Sequence, residues 1–142
     1  MFENIDIEKS LKNAQTSLLI MILLTIFNII GMFFGTGLYV PYSAILPSVF
    51  AFFAIEYQLV IFIFLILIVI GFYVAAALIA RERPIWYGGA FALYVIDSIV
   101  MFLWFFYFTE FNIMTMLDVI FHGWILVSLF KGTLTAYKNM VA

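Results

Sequence analysis

The sequence predicts an all-α fold, a polytopic membrane protein built as a four-helix transmembrane bundle, with an apolar external segment between helices 1 and 2. Three observations carry this. Hydrophobic residues make up 68% of the chain and charged residues only 10%, with a mean hydropathy of +1.23. A soluble domain has roughly a quarter of its residues charged, so lipid is the main solvent here. Apolar runs at 16–35, 56–80, 88–108 and 112–132 reach the roughly 20 residues that a helix needs to cross a bilayer. All six Lys and Arg fall on one side if these four runs are the crossings.

Residues 1–15 set Glu3, Asn4, Asp6, Glu8, Lys9 and Lys12 among Phe2, Ile5 and Leu11, the pattern of a short amphipathic helix on the cytoplasmic face. Acids precede a long apolar run and no small-residue cleavage site follows it, so no cleavable leader is expected. The first span, 16–35, comes next. Segment 36–55 is apolar but broken by Pro41 and Pro47. A fifth crossing there would set Arg81 and Arg83 opposite Lys9 and Lys12, against the positive-inside rule. The segment is therefore placed outside, as a re-entrant piece packed on the bundle or as a helix lying in the interface. Tyr39, Tyr42 and Tyr57 resemble a headgroup belt and favour the interface.

The second span, 56–80, leads into the charged turn of Arg81, Glu82, Arg83 and Pro84. In the third, 88–108, Trp86 and Tyr87 anchor the inner end, and Trp104 and Tyr107 the outer end. The fourth, 112–132, ends at Lys131, with Lys138 beyond it. The external edges hold Glu56 and Glu110. This makes one transmembrane domain over residues 1–142, in the inner membrane, with both termini cytoplasmic. Small residues at spacing four, Gly31 and Gly35, Gly71 and Ala75, and Ser128 and Gly132, are expected to let helices approach within the bundle or in a homodimer.

With no cysteine, the chain has no thiol catalysis, no Fe–S ligation and no disulfide. Its net charge of −2 offers no surface for nucleic acid. Gly31, Gly35 and Gly37 lack the strand before and the lysine after that a phosphate loop requires. No cofactor is expected, and the expected partners are the lipid bilayer and a second copy or another membrane protein.

Asp97 and Asp118 lie well inside apolar runs, where a carboxylate costs about 2.5–3.5 kcal/mol on insertion scales. His122, the only histidine, stands four residues after Asp118, one turn along the same face. Helical rise puts Asp97 and His122 near the midplane, Asp118 about one turn, roughly 5 Å, closer to the outside, and Asn28 at a similar outer-half depth. Asn28, Asp97, Asp118 and His122 are therefore expected to form one intramembrane polar cluster, with Thr25, Tyr94 and Ser98 as further partners. Such a cluster cements helices by shared protons and hydrogen bonds, or relays protons or cations, or, with Glu56, holds a metal. Cementing is preferred, because unpaired polar groups in lipid are so costly. One His and no Cys is a poor metal set. A serine nucleophile would require Ser98 to face His122.

Ser43-Ala44 with Pro47, Tyr94 with Asp97, Asp118 with Phe121-His122, then Lys131-Gly132 and Ala136, resemble a group of uncharacterised small four-span bacterial membrane proteins. The resemblance covers most of the chain. It implies the four-helix membrane fold and no particular substrate. The expected function is non-enzymatic: a membrane subunit, accessory or immunity-like protein acting through helix contacts. A small proton- or cation-coupled transporter using Asp97, Asp118 and His122 is the alternative, and an intramembrane metal-site enzyme the third.

Overall fold

The computed structural model describes residues 2–36, 43–80, 82–108, 110 and 112–141, and the side chains among them other than those of residues 2–5, 108 and 139–141. Tyr39, Pro41, Tyr42, Gly37 and Arg81, and the side chains of Phe2 and Ile5, lie outside the described residues. The described chain is all-helical: α1 (Phe2–Phe33), α2 (Ile45–Tyr57), α3 (Ile61–Ile79), α4 (Trp86–Phe108) and α5 (Ile113–Val141). Four of them, all but α2, are long and apolar enough to cross a membrane. Their outward faces carry large apolar side chains such as Phe64, Leu67 and Ile68 of α3, each more than half exposed. That is the surface of a multi-pass membrane protein.

No Gly or Pro interrupts the chain between the amphipathic start and the first span, so both form one helix of 32 residues, roughly 48 Å long. The separate N-terminal helix expected from the sequence is thus the first turns of α1. Its continuation past the apolar window packs on α5, itself 29 residues long, where Thr135 Oγ1 donates to Ser10 Oγ at 3.1 Å. The Gly132 position explains how closely the two approach. A Cβ there would stand 2.7 Å from Ala14 Cβ, with the Tyr87 ring 3.8 Å away. Ala14, Gly132 and Tyr87 thus meet at one level. Lys9, Lys12, Arg83, Lys131 and Lys138 are gathered at that end of the bundle, and Glu56 and Glu110 at the other.

Gly35 has another role than helix packing. Its φ is +67° and a Cβ there would meet nothing within 4 Å. Gly35 N–H donates to Met32 O and Thr36 N–H to Gly31 O, both at 3.1 Å, which is the Schellman closure of α1. Gly71 likewise faces open space. Gly132, unlike Gly35 and Gly71, makes a close helix contact. Tyr87 and Trp104 also depart from the anchoring role: Tyr87 is 2% exposed in the core, and Trp104 packs edge-on against Phe52 and Phe53. Tyr107 is 70% exposed near the Glu110 end, as an anchor should be. A burial signal and a belt signal look alike in sequence, since each is an aromatic at a span end.

The largest departure concerns segment 36–55. The interfacial helix favoured by its tyrosines is not what forms, because α2 is packed inside the bundle, in the arrangement of a re-entrant piece. Ile45, Pro47, Ser48, Val49, Ala51 and Ala54 are buried. Ile45 and Val49 pack with Met101 of α4, and Ala51 with Ile29 of α1 and Ile66 of α3. With 13 residues α2 is roughly 20 Å long, about half a crossing. It starts beside Asp97, in the middle of α4, and ends at Tyr57 near the Glu56 and Glu110 end. Gln58, in the left-handed region at φ 53°, then reverses the chain into α3. The second span accordingly begins at Ile61, five residues later than the hydropathy places it.

Candidate functional site

A helix beginning inside a membrane has a specific problem. Its first N–H groups have no intrahelical acceptor, and lipid supplies none. At α2 the preceding residue, Ala44, has no side chain that could cap. The donors are satisfied from other helices instead. Ala44 N–H donates to Thr25 Oγ1 of α1 at 2.8 Å. Ile45 N–H donates to Asp97 Oδ2 at 3.0 Å and Leu46 N–H to Asp97 Oδ1 at 2.7 Å. The third helical residue is Pro47, which has no N–H to satisfy. Every free donor of this helix start is thereby paired or absent, and Asp97 is its N-cap, delivered from α4.

Asp97 is also the partner of His122, whose Nε2 lies 2.9 Å from Oδ2. The other ring nitrogen, Nδ1, lies 3.1 Å from the backbone oxygen of Asp118. A carbonyl oxygen only accepts, so Nδ1 carries a hydrogen. The contact between Nε2 and Oδ2 therefore holds one proton, and the pair is neutral overall whether it sits on nitrogen or oxygen. Asp97, Asp118 and His122 are at most 1% exposed. Tyr94 stacks on the imidazole with ring centroids 4.8 Å apart, and Tyr73 meets Tyr94 edge-on at 6.4 Å. These two rings wall the pair from the α3 side.

The four residues singled out from the sequence are all buried, but they are joined in unequal ways. Asp97 and His122 touch directly. Asp118 enters through its backbone oxygen. Asn28 enters through α2, its Nδ2 donating to Ser48 Oγ at 2.8 Å. Thr25 holds the turn before α2, and its own hydroxyl donates to Met21 O at 2.7 Å. Ser98 Oγ donates to Tyr94 O of its own helix at 2.9 Å. Asp97 and the Asp118 backbone take up both His122 nitrogens, so among the described residues no serine forms a dyad with the imidazole. Glu56 lies at the far end of α2, roughly 16 Å of helical rise from Ile45. Among the described residues no three of His, Asp and Glu are arranged to hold a metal.

Sequence reasoning did not find Ser48, Tyr73 or the amides of Ile45 and Leu46. The Tyr73 hydroxyl is buried with no hydrogen-bond partner among the described residues. Pro47 was the available signal for the amides, since a proline in the first turn of a helix with no capping residue before it implies a cap from elsewhere. Comparison of the chain with known protein families, with curated proteins and with solved structures finds no match.

Proposed function

We propose that this is a small inner-membrane protein, with both termini and the turn containing Arg83 in the cytoplasm, that works through helix contacts as a subunit, accessory or immunity-like partner of other membrane proteins. In this reading the Asp97–His122 pair is a clasp that sets α2 inside the bundle. One observation carries it: both oxygens of Asp97 are occupied by donors of the chain itself, in a site at most 1% exposed. The grooves of 670 and 260 Å³ between α1 and α5 include none of Asp97, Asp118 and His122 in their walls. The basic residues gathered at one end support the orientation.

A second reading, proton transfer, is favoured by the single proton between Nε2 and Oδ2 near the middle of two crossing helices. Reconstitution distinguishes the two. Liposomes carrying the protein and an internal pH dye receive a pH step, alongside protein-free liposomes and liposomes with Asp97→Asn or His122→Gln. The clasp gives no flux above the protein-free rate, and the variants lose stability. Saturable flux that disappears in either variant while the fold persists refutes the clasp and establishes the relay.

A further inference from the structure

The face formed by α1 and α5 at the basic end carries a groove that the clasp does not use. Its volume is 670 Å³. On α1 it is lined by Asp6, Lys9 and Asn13, at spacings of three and four that place them on one helical stripe. On α5 its wall runs from Lys131 through Val127 and Gly123 to Ile120, again at spacings of three and four. The groove therefore changes character along its length. It has two ammonium groups and one carboxylate at the mouth, and further in a mainly apolar floor of Val127, Trp124, Gly123 and Ile120 with Ser128 at its side.

The dimensions match one leaflet. Lys131 to Ile120 is eleven residues of α5, a rise of roughly 16 Å, and half the hydrocarbon core of a bilayer is about 15 Å. Gly123 leaves the floor open, because a Cβ there would meet nothing within 4 Å. At the mouth, Asp6 stands one turn of α1 further from the membrane centre than Lys9 and Ser10, about 5 Å away. The order of charges, from the floor outward, is two cations and then an anion. A phospholipid with an amine headgroup has the complementary order, a phosphate and then an ammonium.

We propose that this groove binds one phospholipid whose headgroup carries a phosphate and a primary ammonium, as phosphatidylethanolamine does. The phosphate lies between Lys9 and Lys131, the ammonium on Asp6, and an acyl chain over Gly123. Asp6 is what makes the site prefer this zwitterion. Without it the mouth would suit any anionic lipid, since Lys ammonium groups recognise phosphate as point charges.

The test is lipid titration of the delipidated full-length protein in detergent, read by native mass spectrometry, with phosphatidylethanolamine, phosphatidylglycerol and phosphatidylcholine of the same chain length. The expected result is one saturable phosphatidylethanolamine adduct, bound more tightly than the other two lipids. Lys9→Ala with Lys131→Ala weakens it roughly tenfold or more. Asp6→Asn shifts the preference to phosphatidylglycerol. Gly123→Leu fills open space and weakens every lipid, while its thermal unfolding matches that of the parent protein. Equal binding of the three lipids, or a lysine pair whose removal changes nothing, overturns the proposal. So does a dimer that persists through the titration and falls apart in Gly123→Leu, which would make the groove a contact between copies.

Discussion

Replacing Asp97 removes the acceptor for two backbone donors and for the imidazole at once. In Asp97→Ala the N–H groups of Ile45 and Leu46 lose partners now at 3.0 and 2.7 Å, at a site buried from water. A buried donor left without a partner costs about 1–3 kcal/mol, so the two together cost about 2–6 kcal/mol. Within a membrane the unfolded helices find other partners, which lowers such figures, and the expected loss is about 2–4 kcal/mol. Asp97→Asn retains one acceptor oxygen. Its amide can donate to Nε2 of a neutral His122, but one of the two α2 amides is then left facing N–H, and the expected loss is about 1–2 kcal/mol. Reversible unfolding in mixed micelles measures both. The chain has no cysteine, so a thiol introduced by Ser43→Cys reports on the start of α2 alone. It is expected to resist maleimide in the parent protein and to react in Asp97→Ala. If Asp97→Ala unfolds within about 0.5 kcal/mol of the parent and the thiol remains protected, Asp97 does not hold α2 and the capping argument fails.

Pro47→Ala adds an N–H to the first turn of α2, where no cap is left to accept it, and is expected to lose about 1–2 kcal/mol in the same unfolding measurement despite the better helix propensity of alanine. Gly132→Ala brings a methyl to 2.7 Å from Ala14 Cβ and is expected to destabilise by about 1–3 kcal/mol, with Ala14→Gly restoring much of the loss. Gly71→Ala, in open space within α3, is expected to be neutral or stabilising by up to about 1 kcal/mol; a loss equal to that of Gly132→Ala would mean the two glycines are equally packed, contrary to the geometry.

The crossings were legible because length, hydropathy and the placement of Lys and Arg are properties of the chain itself. Asp97 and His122 were legible for a related reason, since lipid penalises them wherever they point and so requires a partner. What could not be read was the identity of that partner. The donors that converge on Asp97 include two backbone amides, which every residue but proline has, and nothing in Ile45 or Leu46 marks theirs as unsatisfied. The tyrosines of segment 36–55 favoured the membrane surface, whereas burial of α2 is decided by a carboxylate on another helix. Gly35 was ambiguous in the same way: a glycine four residues from another suits a helix contact or a chain reversal, and only its φ of +67° decides for the reversal.

The cap on α2 also constrains the order in which the protein can be built. Asp97 lies 51 and 52 residues downstream of the two amides that it holds. During synthesis α1 and the start of α2 therefore emerge well before their acceptor exists, and α3 must be threaded in the meantime. Until α4 arrives, the first turn of α2 can satisfy its amides only at the watery rim of the bilayer. The half-length helix, the second to be made, thus cannot be seated before the fourth. A chain halted after α3 should leave it at the surface, where a quality-control protease can tell an unfinished molecule from a complete one.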